Sequence, residues 1–425
     1  MSSSDVSAVA RRSRGNAEHA APEHAAPEHA TPEHAANAHA LAASSDELGD
    51  VDVRWNSARA RATLRRRLLG WYRRHQRDLP WRRDRDPYAI WISEIMLQQT
   101  QVAKVERFFK RFLERFPNPA ALAAAEVEEV LCLWEGLGYY RRARQLHAAA
   151  QQMVRLHSGR FPDSYREVLA LPGIGRYTAG AILSIAHDQR LPIVEANTLR
   201  LFSRLLALRG APANTAAMNR LWEFATAILP QKGSGVFNQA AMELGSLVCT
   251  PRQPKCEQCV LASLCAAREQ GLEAEIPGVV KKIAYIRRVH WGILARHENR
   301  VLLRRCQPGE HWEGLWDVPR YDVTEQKDPR GYVEERFRRD YQLNLQPHLH
   351  LLSSIKHGVT KFRIDLHVYH GSIQGSAGVL ADPFESGNPS WGWFTNDQLP
   401  LLPLNTTGRA ITSQIGSWLG HSQVS

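Results

Sequence analysis

Apolar residues recur three and four apart from about residue 54, beginning with Leu64, Leu68, Leu69 and Tyr72 on one face, and this helical period persists to about 268. The stretches "FPNPAALAAAEVEEVLCLWEGLGYYRRARQLHAAAQQMVRLH" and "LFSRLLAL" have the same character, with no convincing alternating strand among them. The pattern predicts an all-α domain over 54–270. After "EIPGVVKKIA", within a linker read over 271–284, the period changes. "HWGILARH", "RVLLRRC" and "KFRIDLHVYHGSI" read as strands, with one helical patch at "GYVEERFRRDY", so an α+β domain is expected over 285–420. Residues 1–50 carry the tandem unit "APEHAAPEHATPEHA" and almost no large apolar side chains. Such a segment cannot bury enough surface to offset its chain entropy and reads as a disordered tail. A His-rich tract can bind metal, but a flexible tail is the simpler reading.

The chain's 425 residues suit two folded units and a tail. Its formal charge of +11 becomes informative where arginines crowd together, in "RARATLRRRLLGWYRRHQRDLPWRRDRDP" with Trp71, Tyr72 and Trp81. Basic side chains interleaved with aromatics suit a polyanion such as nucleic acid, although composition alone is equally compatible with a solvated basic face. No apolar run approaches the roughly 20 residues that span a bilayer, and the N-terminus lacks the apolar stretch of a secretory signal. The expectation is a protein of the bacterial cytoplasm, associated with the nucleoid, with no membrane partner.

Candidate chemistry sits in four motifs. In "CTPRQPKCEQCVLASLC", Cys249, Cys256, Cys259 and Cys265 have the spacing C-x6-C-x2-C-x5-C. Four clustered thiols in a large intracellular chain point to metal before disulfides, and the spacing alone admits zinc or an iron–sulfur cluster. In "LPGIGRYTAGAILSIA", Gly173 and Gly175 make a turn into an apolar helix whose first backbone N–H groups are unpaired, a geometry that binds phosphate without side-chain charge. In "WISEIMLQQT", helical spacing places Glu94 and Gln98 on one face, with Trp91, Ile92, Ile95 and Met96 as apolar neighbours. Such neighbours disfavour the charged carboxyl and raise its pKa toward that of a general acid. By itself the same pair is also compatible with a surface glutamate and its amide partner. Glu195, in "LPIVEANTLR", precedes a helix start, where unpaired N–H groups and the helix dipole favour a carboxylate, lower its pKa and keep it charged.

Taken in order, "LPWRRDRDPYAIWISEIMLQQTQV", "LWEGLGYYRRARQLH", "LPGIGRYTAGAILSIA" and the four-cysteine loop resemble the adenine DNA glycosylases, the MutY family, densely over residues 60–270 and more loosely beyond. The resemblance implies a helix-hairpin-helix glycosylase domain with a 4Fe-4S cluster on the four cysteines, followed by a Nudix-like domain. It implies a monomeric enzyme acting on double-stranded DNA, removing adenine opposite 8-oxoguanine or guanine after flipping the base out. It places Glu94 as the acid, Glu195 opposite the sugar, and Tyr177 and Asn197 in the catalytic pocket. Arg77, Leu79, Trp81 and Arg82 would surround the extruded base. Gln98, Gln99 and Tyr139 would fill or wedge the duplex, with Thr100, Gly173 and Gly175 among the DNA contacts. Val359, Thr360 and Lys361 would form the lesion-reading loop, standing where the family often has Phe-Ser-His. Arg336, Arg338 and Arg339 interrupt the acids a Nudix magnesium site needs, so hydrolysis by that domain is not expected. The alternatives are an endonuclease III-like lyase, disfavoured because Tyr177 stands where that enzyme has its lysine nucleophile, and a catalytically silent lesion binder. The latter is motivated by "EAN", where the family usually has Asp-Gly-Asn.

Overall fold

The computed structural model describes residues 53–209, 215–278, 284–374 and 390–415. The predicted tail over 1–50 and part of the predicted linker lie outside them. The chain first forms α1 (Ala58–His75), α2 (Pro87–Leu97), α3 (Val102–Arg115), α4 (Pro119–Ala124), α5 (Val127–Trp134) and α6 (Arg141–His157). There follow α7 (Tyr165–Leu169), α8 (Arg176–His187), α9 (Ala196–Leu205), α10 (Thr215–Ile228), α11 (Ser234–Leu247) and α12 (Ala266–Glu269). Among the described residues no strand precedes Ile286.

Local sequence sets several helix starts. Asp86 caps α2 by accepting from the Tyr88 and Ala89 N–H groups at 3.0 and 3.3 Å, and Pro87 supplies a first position that needs no donor. Nine of the eleven α2 residues are buried, so this helix is the centre of its lobe and not an amphipathic cover. It packs with α3, α5, α6 and α8 around Trp91, Phe112 and Trp134. A second core gathers α1, α9, α10 and α11 around Trp71, Phe202 and Phe237 and extends to Cys249 and Leu261 of the cysteine loop.

The C-terminal part contains β1 (Ile286–His297), β2 (Arg300–Arg305), β3 (Trp316–Asp317), β4 (Arg320–Asp322), α13 (Pro329–Tyr341), β5 (Asn344–Leu345), β6 (His350–Val359), β7 (Phe362–Gln374), β8 (Trp391–Thr395) and α14 (Thr406–Thr412). The sheet order is β3-β2-β1-β7-β5, with β4 also on β1, β6 on β7 and β8 on β2. The β1–β7 pair is parallel, with Ile286 opposite Phe362 and Arg296 opposite Ser372; the other pairs are antiparallel. Ile293 and Ala295 of β1 pack with Val333 and Phe337 of α13, while Leu294 packs with Ile411 of α14. Both faces are covered, which is why Gly292–Ala295 read as a continuous buried run instead of an alternation.

The two parts are joined by specific contacts along α5 and α6. Leu315 enters the first helical core. Arg409 donates to both Glu135 oxygens at 2.7 Å, the Tyr140 hydroxyl donates to the Leu404 carbonyl at 3.2 Å, and Arg305 pairs with Glu128.

Candidate active site

The acids of the site arrive from separate elements, at the place where the two helical cores face each other. Glu94, on α2, is 6% exposed. The hydroxyl of Tyr177, from the first turn of α8, donates to Glu94 Oε2 at 2.5 Å. Burial raises the Glu94 pKa to about 7. The Tyr177 hydrogen bond opposes that rise, the charge of Glu195 adds to it and Arg82 opposes it. Burial also pushes the Tyr177 phenol well above its ordinary value, so this hydroxyl is a donor and not an ionised nucleophile. Gln98 does not share the Glu94 face as the helical spacing predicts: α2 ends at Leu97, and Gln98 has left helical geometry. Nor is Glu94 the surface glutamate that the motif in isolation also allows.

Glu195 is itself the cap of α9. Its Oε2 accepts from the Asn197 backbone N–H at 2.8 Å and from Asn197 Nδ2 at 3.1 Å, and its Oε1 accepts from the Thr198 N–H at 2.8 Å. The Glu195 backbone N–H donates to Thr198 Oγ1 at 2.8 Å, completing a capping box. The expected lowering of its pKa is reversed. Burial raises it and outweighs the N–H groups of Asn197 and Thr198 that pull it down. As a pair, however, the two acids are unequal. Glu195 receives three N–H donors and Glu94 a single hydroxyl, so the two carboxyl groups sit in unequal hydrogen-bond environments.

A third acid, not singled out from the sequence, is Glu243 of α11, 1% exposed. Arg77 donates to it through the backbone N–H, Nε and Nη2 at 2.9, 2.9 and 2.7 Å, and Arg82 through Nη1 and Nη2 at 3.2 and 2.9 Å. Burial would raise its pKa, but these two guanidinium groups overcome that and bring it to about 2. The only hint in the sequence is an acid inside the apolar run "AAMELGSL". Arg77 and Arg82 therefore meet one another through Glu243, whereas Leu79 and Trp81 between them are buried, Trp81 edge-on to Phe109 at 5.4 Å.

The candidate DNA contacts lie on loops. Gln99 is exposed at φ +54° and Tyr139 is 59% exposed at φ +50°, while Gln98 and Thr100 are half-buried. Gly173 turns at φ +77°, where an added Cβ would lie 2.8 Å from Gln145 Cβ, and Gly175 caps α8 in extended geometry. Val359 ends β6, and Thr360 and Lys361 form the turn into β7, with Thr360 at φ +48°. On α13, Glu334 pairs with Arg330 and Asp340 with Arg339, which ties the acids to arginines.

Cys249, Cys256, Cys259 and Cys265 line one cavity floored by Leu201, Leu205 and Val248. Arg204 Nη1 donates to Cys249 Sγ at 3.2 Å, and Arg200 Nε donates to the Cys249 carbonyl at 2.6 Å. Among the described residues no three His, Cys, Asp or Glu side chains are placed to hold a single metal ion. Four thiols around one cavity are the donor set that either zinc or an iron–sulfur cluster takes. No described helix is long and apolar enough to cross a membrane.

This combination of helical hairpin, buried acids and cysteine loop defines a base-excision DNA glycosylase. Residues 92–226 match the family model of the HhH-GPD superfamily of base excision DNA repair proteins, 249–265 the iron-sulfur binding domain of endonuclease III, and 290–414 the NUDIX domain. The chain is 45% identical to the adenine DNA glycosylase of Homo sapiens over 421 residues, covering 84% of this chain and 76% of that protein. It is 36% identical to that of Buchnera aphidicola from Schizaphis graminum over 257 residues, covering 60% and 74%. A solved thermostable thymine-DNA glycosylase aligns with 52% of this chain and all of its own, at 28% identity and a TM-score of 0.46. The chain belongs to the adenine DNA glycosylase family. It is a DNA N-glycosylase of base excision repair and binds a 4Fe-4S cluster through its four-cysteine loop.

Proposed function

We propose that this chain hydrolyses the N-glycosidic bond of adenine mispaired with 8-oxoguanine, or with guanine, in double-stranded DNA. The observation that carries the reading is the pair of acids with unequal donor sets, buried Glu94 beside Tyr177 and half-buried Glu195 on the α9 cap. Glu94, protonated, gives its proton to a ring nitrogen of the flipped adenine. The C1′–N bond breaks with its electrons going to the base. Glu195, ionised, faces the cationic sugar, and water adds at C1′ with loss of a proton, leaving free adenine and an abasic site. Asn197 steadies the Glu195 carboxylate, and Arg200 Nη2, which donates to Asn197 Oδ1 at 3.0 Å, steadies Asn197. Glu243 fixes Arg77 and Arg82 beside the pocket.

In this reading Gln98, Gln99 and Tyr139 occupy the space vacated in the duplex. The Gly173–Gly175 turn meets backbone phosphate, and the 54–270 region carries the chemistry. The 285–420 region reads the lesion through Val359, Thr360 and Lys361. The cluster, when bound, closes the 249–265 loop as a structural element. Tyr177, a neutral donor, offers no amine for strand cleavage, which favours a monofunctional enzyme.

The test is a labelled duplex containing adenine opposite 8-oxoguanine, incubated with stoichiometric protein. Strand breaks that appear only after alkali support the proposal. Tight binding without alkali-labile sites would refute it in favour of a silent lesion binder, and breaks without alkali would indicate a lyase.

A further inference from the structure

Arg142 lies at the start of α6, 7% exposed, and all six of its hydrogen-bond acceptors are neutral. Nη1 donates to the carbonyls of Ile95, Met96 and Gln98 at 2.7, 3.1 and 2.5 Å. Nη2 donates to Thr100 Oγ1 at 3.2 Å and to the carbonyls of Leu137 and Gly138 at 3.3 and 3.0 Å. Its guanidinium also lies over the rings of Trp134 and Tyr139, at 5.3 and 5.5 Å. Among the described residues no counter-ion meets it, burial lowers its pKa to about 10, and its Nε has no partner. Helix capping alone does not call for such an expensive group, since exposed termini are served by water.

The six acceptors belong to two chain segments more than thirty-five residues apart. One is the end of the Glu94 helix and the Gln98–Thr100 loop; the other is the turn that carries Tyr139. Both loops hold their exposed residue in left-handed backbone, Gln99 at φ +54° and Tyr139 at φ +50°. A planar fork is suited to this bridging. Nη1 serves the first segment, and Nη2 reaches both, through Thr100 on one side and Leu137 and Gly138 on the other, which the single point of a lysine ammonium cannot reproduce. A small cavity lined by Gln98, Arg142, Gln145 and Gly173 sets the same guanidinium beside the hairpin turn.

We propose that Arg142 is a positioning residue that holds the Gln99 and Tyr139 loops in register, so that both enter the duplex together when the base is extruded. The inference rests on the proposed function, which gives those two residues their place in the helix. Arg142 touches no reacting atom and acts through the two loops.

The experiment uses the full chain with its cluster and a duplex carrying 2-aminopurine in place of the target adenine, whose fluorescence rises on unstacking. Arg142→Lys keeps the charge and binds the duplex, but its extrusion signal collapses, and excision from an A:8-oxoguanine duplex slows on the order of 10²-fold, as for a misplaced reacting group. Thr100→Val, which removes one acceptor without touching the core, gives a smaller loss of the same signal. A purely structural role for Arg142 predicts a lower melting temperature with wild-type extrusion well below it; that result, or equal extrusion in all three proteins, overturns the inference. Extrusion is read without product formation. A wild type that extrudes the base but releases no adenine therefore counts against the proposed chemistry and not against the role of Arg142.

Discussion

Replacing Tyr177 with Phe makes a prediction whose sign runs against the simplest expectation of a damaged acid. The Tyr177 hydroxyl donates to Glu94 at 2.5 Å and so stabilises the ionised carboxylate, partly offsetting the burial that raises the Glu94 pKa to about 7. A hydrogen bond to a charged group contributes roughly 1.5–3 kcal/mol. One pKa unit corresponds to about 1.4 kcal/mol, so its removal lifts the Glu94 pKa by about 1–2 units. Catalysis requires Glu94 protonated, and the alkaline limb of the rate profile marks the loss of that proton. In Tyr177→Phe this limb therefore moves up, from near 7 to roughly 8–9, while the acid limb stays nearer its place. Single-turnover excision across the pH range, with cluster absorbance as the check on folding, measures both limbs. An alkaline limb that is unmoved, or shifted to lower pH, would refute the assignment of Glu94 as the acid and Tyr177 as its donor. The plateau rate can fall for other reasons without affecting the argument, because the midpoint is the observable.

Glu94→Gln abolishes excision while duplex binding persists; appreciable turnover would mean that another group is the acid. Its stability effect has the opposite sign. The folded pKa of about 7 lies above the ordinary carboxyl value of 4.5, so folding stability falls as pH rises between them. Above pH 7 the loss amounts to about 3 kcal/mol, and Glu94→Gln unfolds at higher urea than wild type at pH 8. Glu243→Gln strands two arginines against a buried neutral group and lowers stability by roughly 3–5 kcal/mol at neutral pH in chemical denaturation. The folded Glu243 pKa of about 2 makes its contribution fully present above the ordinary carboxyl value of 4.5 and lost as pH falls toward 2, so wild type and variant converge in acid. Cys256→Ser reduces the visible absorbance of the cluster and impairs DNA affinity or solubility more than the chemical step. A stable, fully active Cys256→Ser protein would show that the loop is not structural.

Local chemistry explains which parts of the site were legible before any coordinates. The four cysteines fall within seventeen residues, and their spacing announces a metal centre because the ligands must close one short loop. The Gly173 turn was legible for the same reason: a helix start and its tight approach are properties of adjacent residues. Glu94 was readable as a candidate only because apolar neighbours surround it in sequence. Its donor Tyr177 stands eighty-three positions away and no periodicity points to it. Glu243 escaped notice because an acid in a helix is ordinary until two arginines more than one hundred and sixty residues earlier are brought against it.

Sequence by itself determined the division into a helical region and a strand-containing region, the starts of α2 and α9, the cysteine loop and the family resemblance. Each of these depends on residues near one another along the chain, where period, capping and spacing act directly. Tertiary structure alone decided the ionisation of the acids, because a pKa follows burial and neighbouring charge, which arrive from distant elements. Glu195 illustrates the division. Its place at the head of a helix was written in "EANTLR", and a charged cap was the local consequence. Packing against the rest of the domain took part of that cap out of solvent, and its pKa is raised instead of lowered.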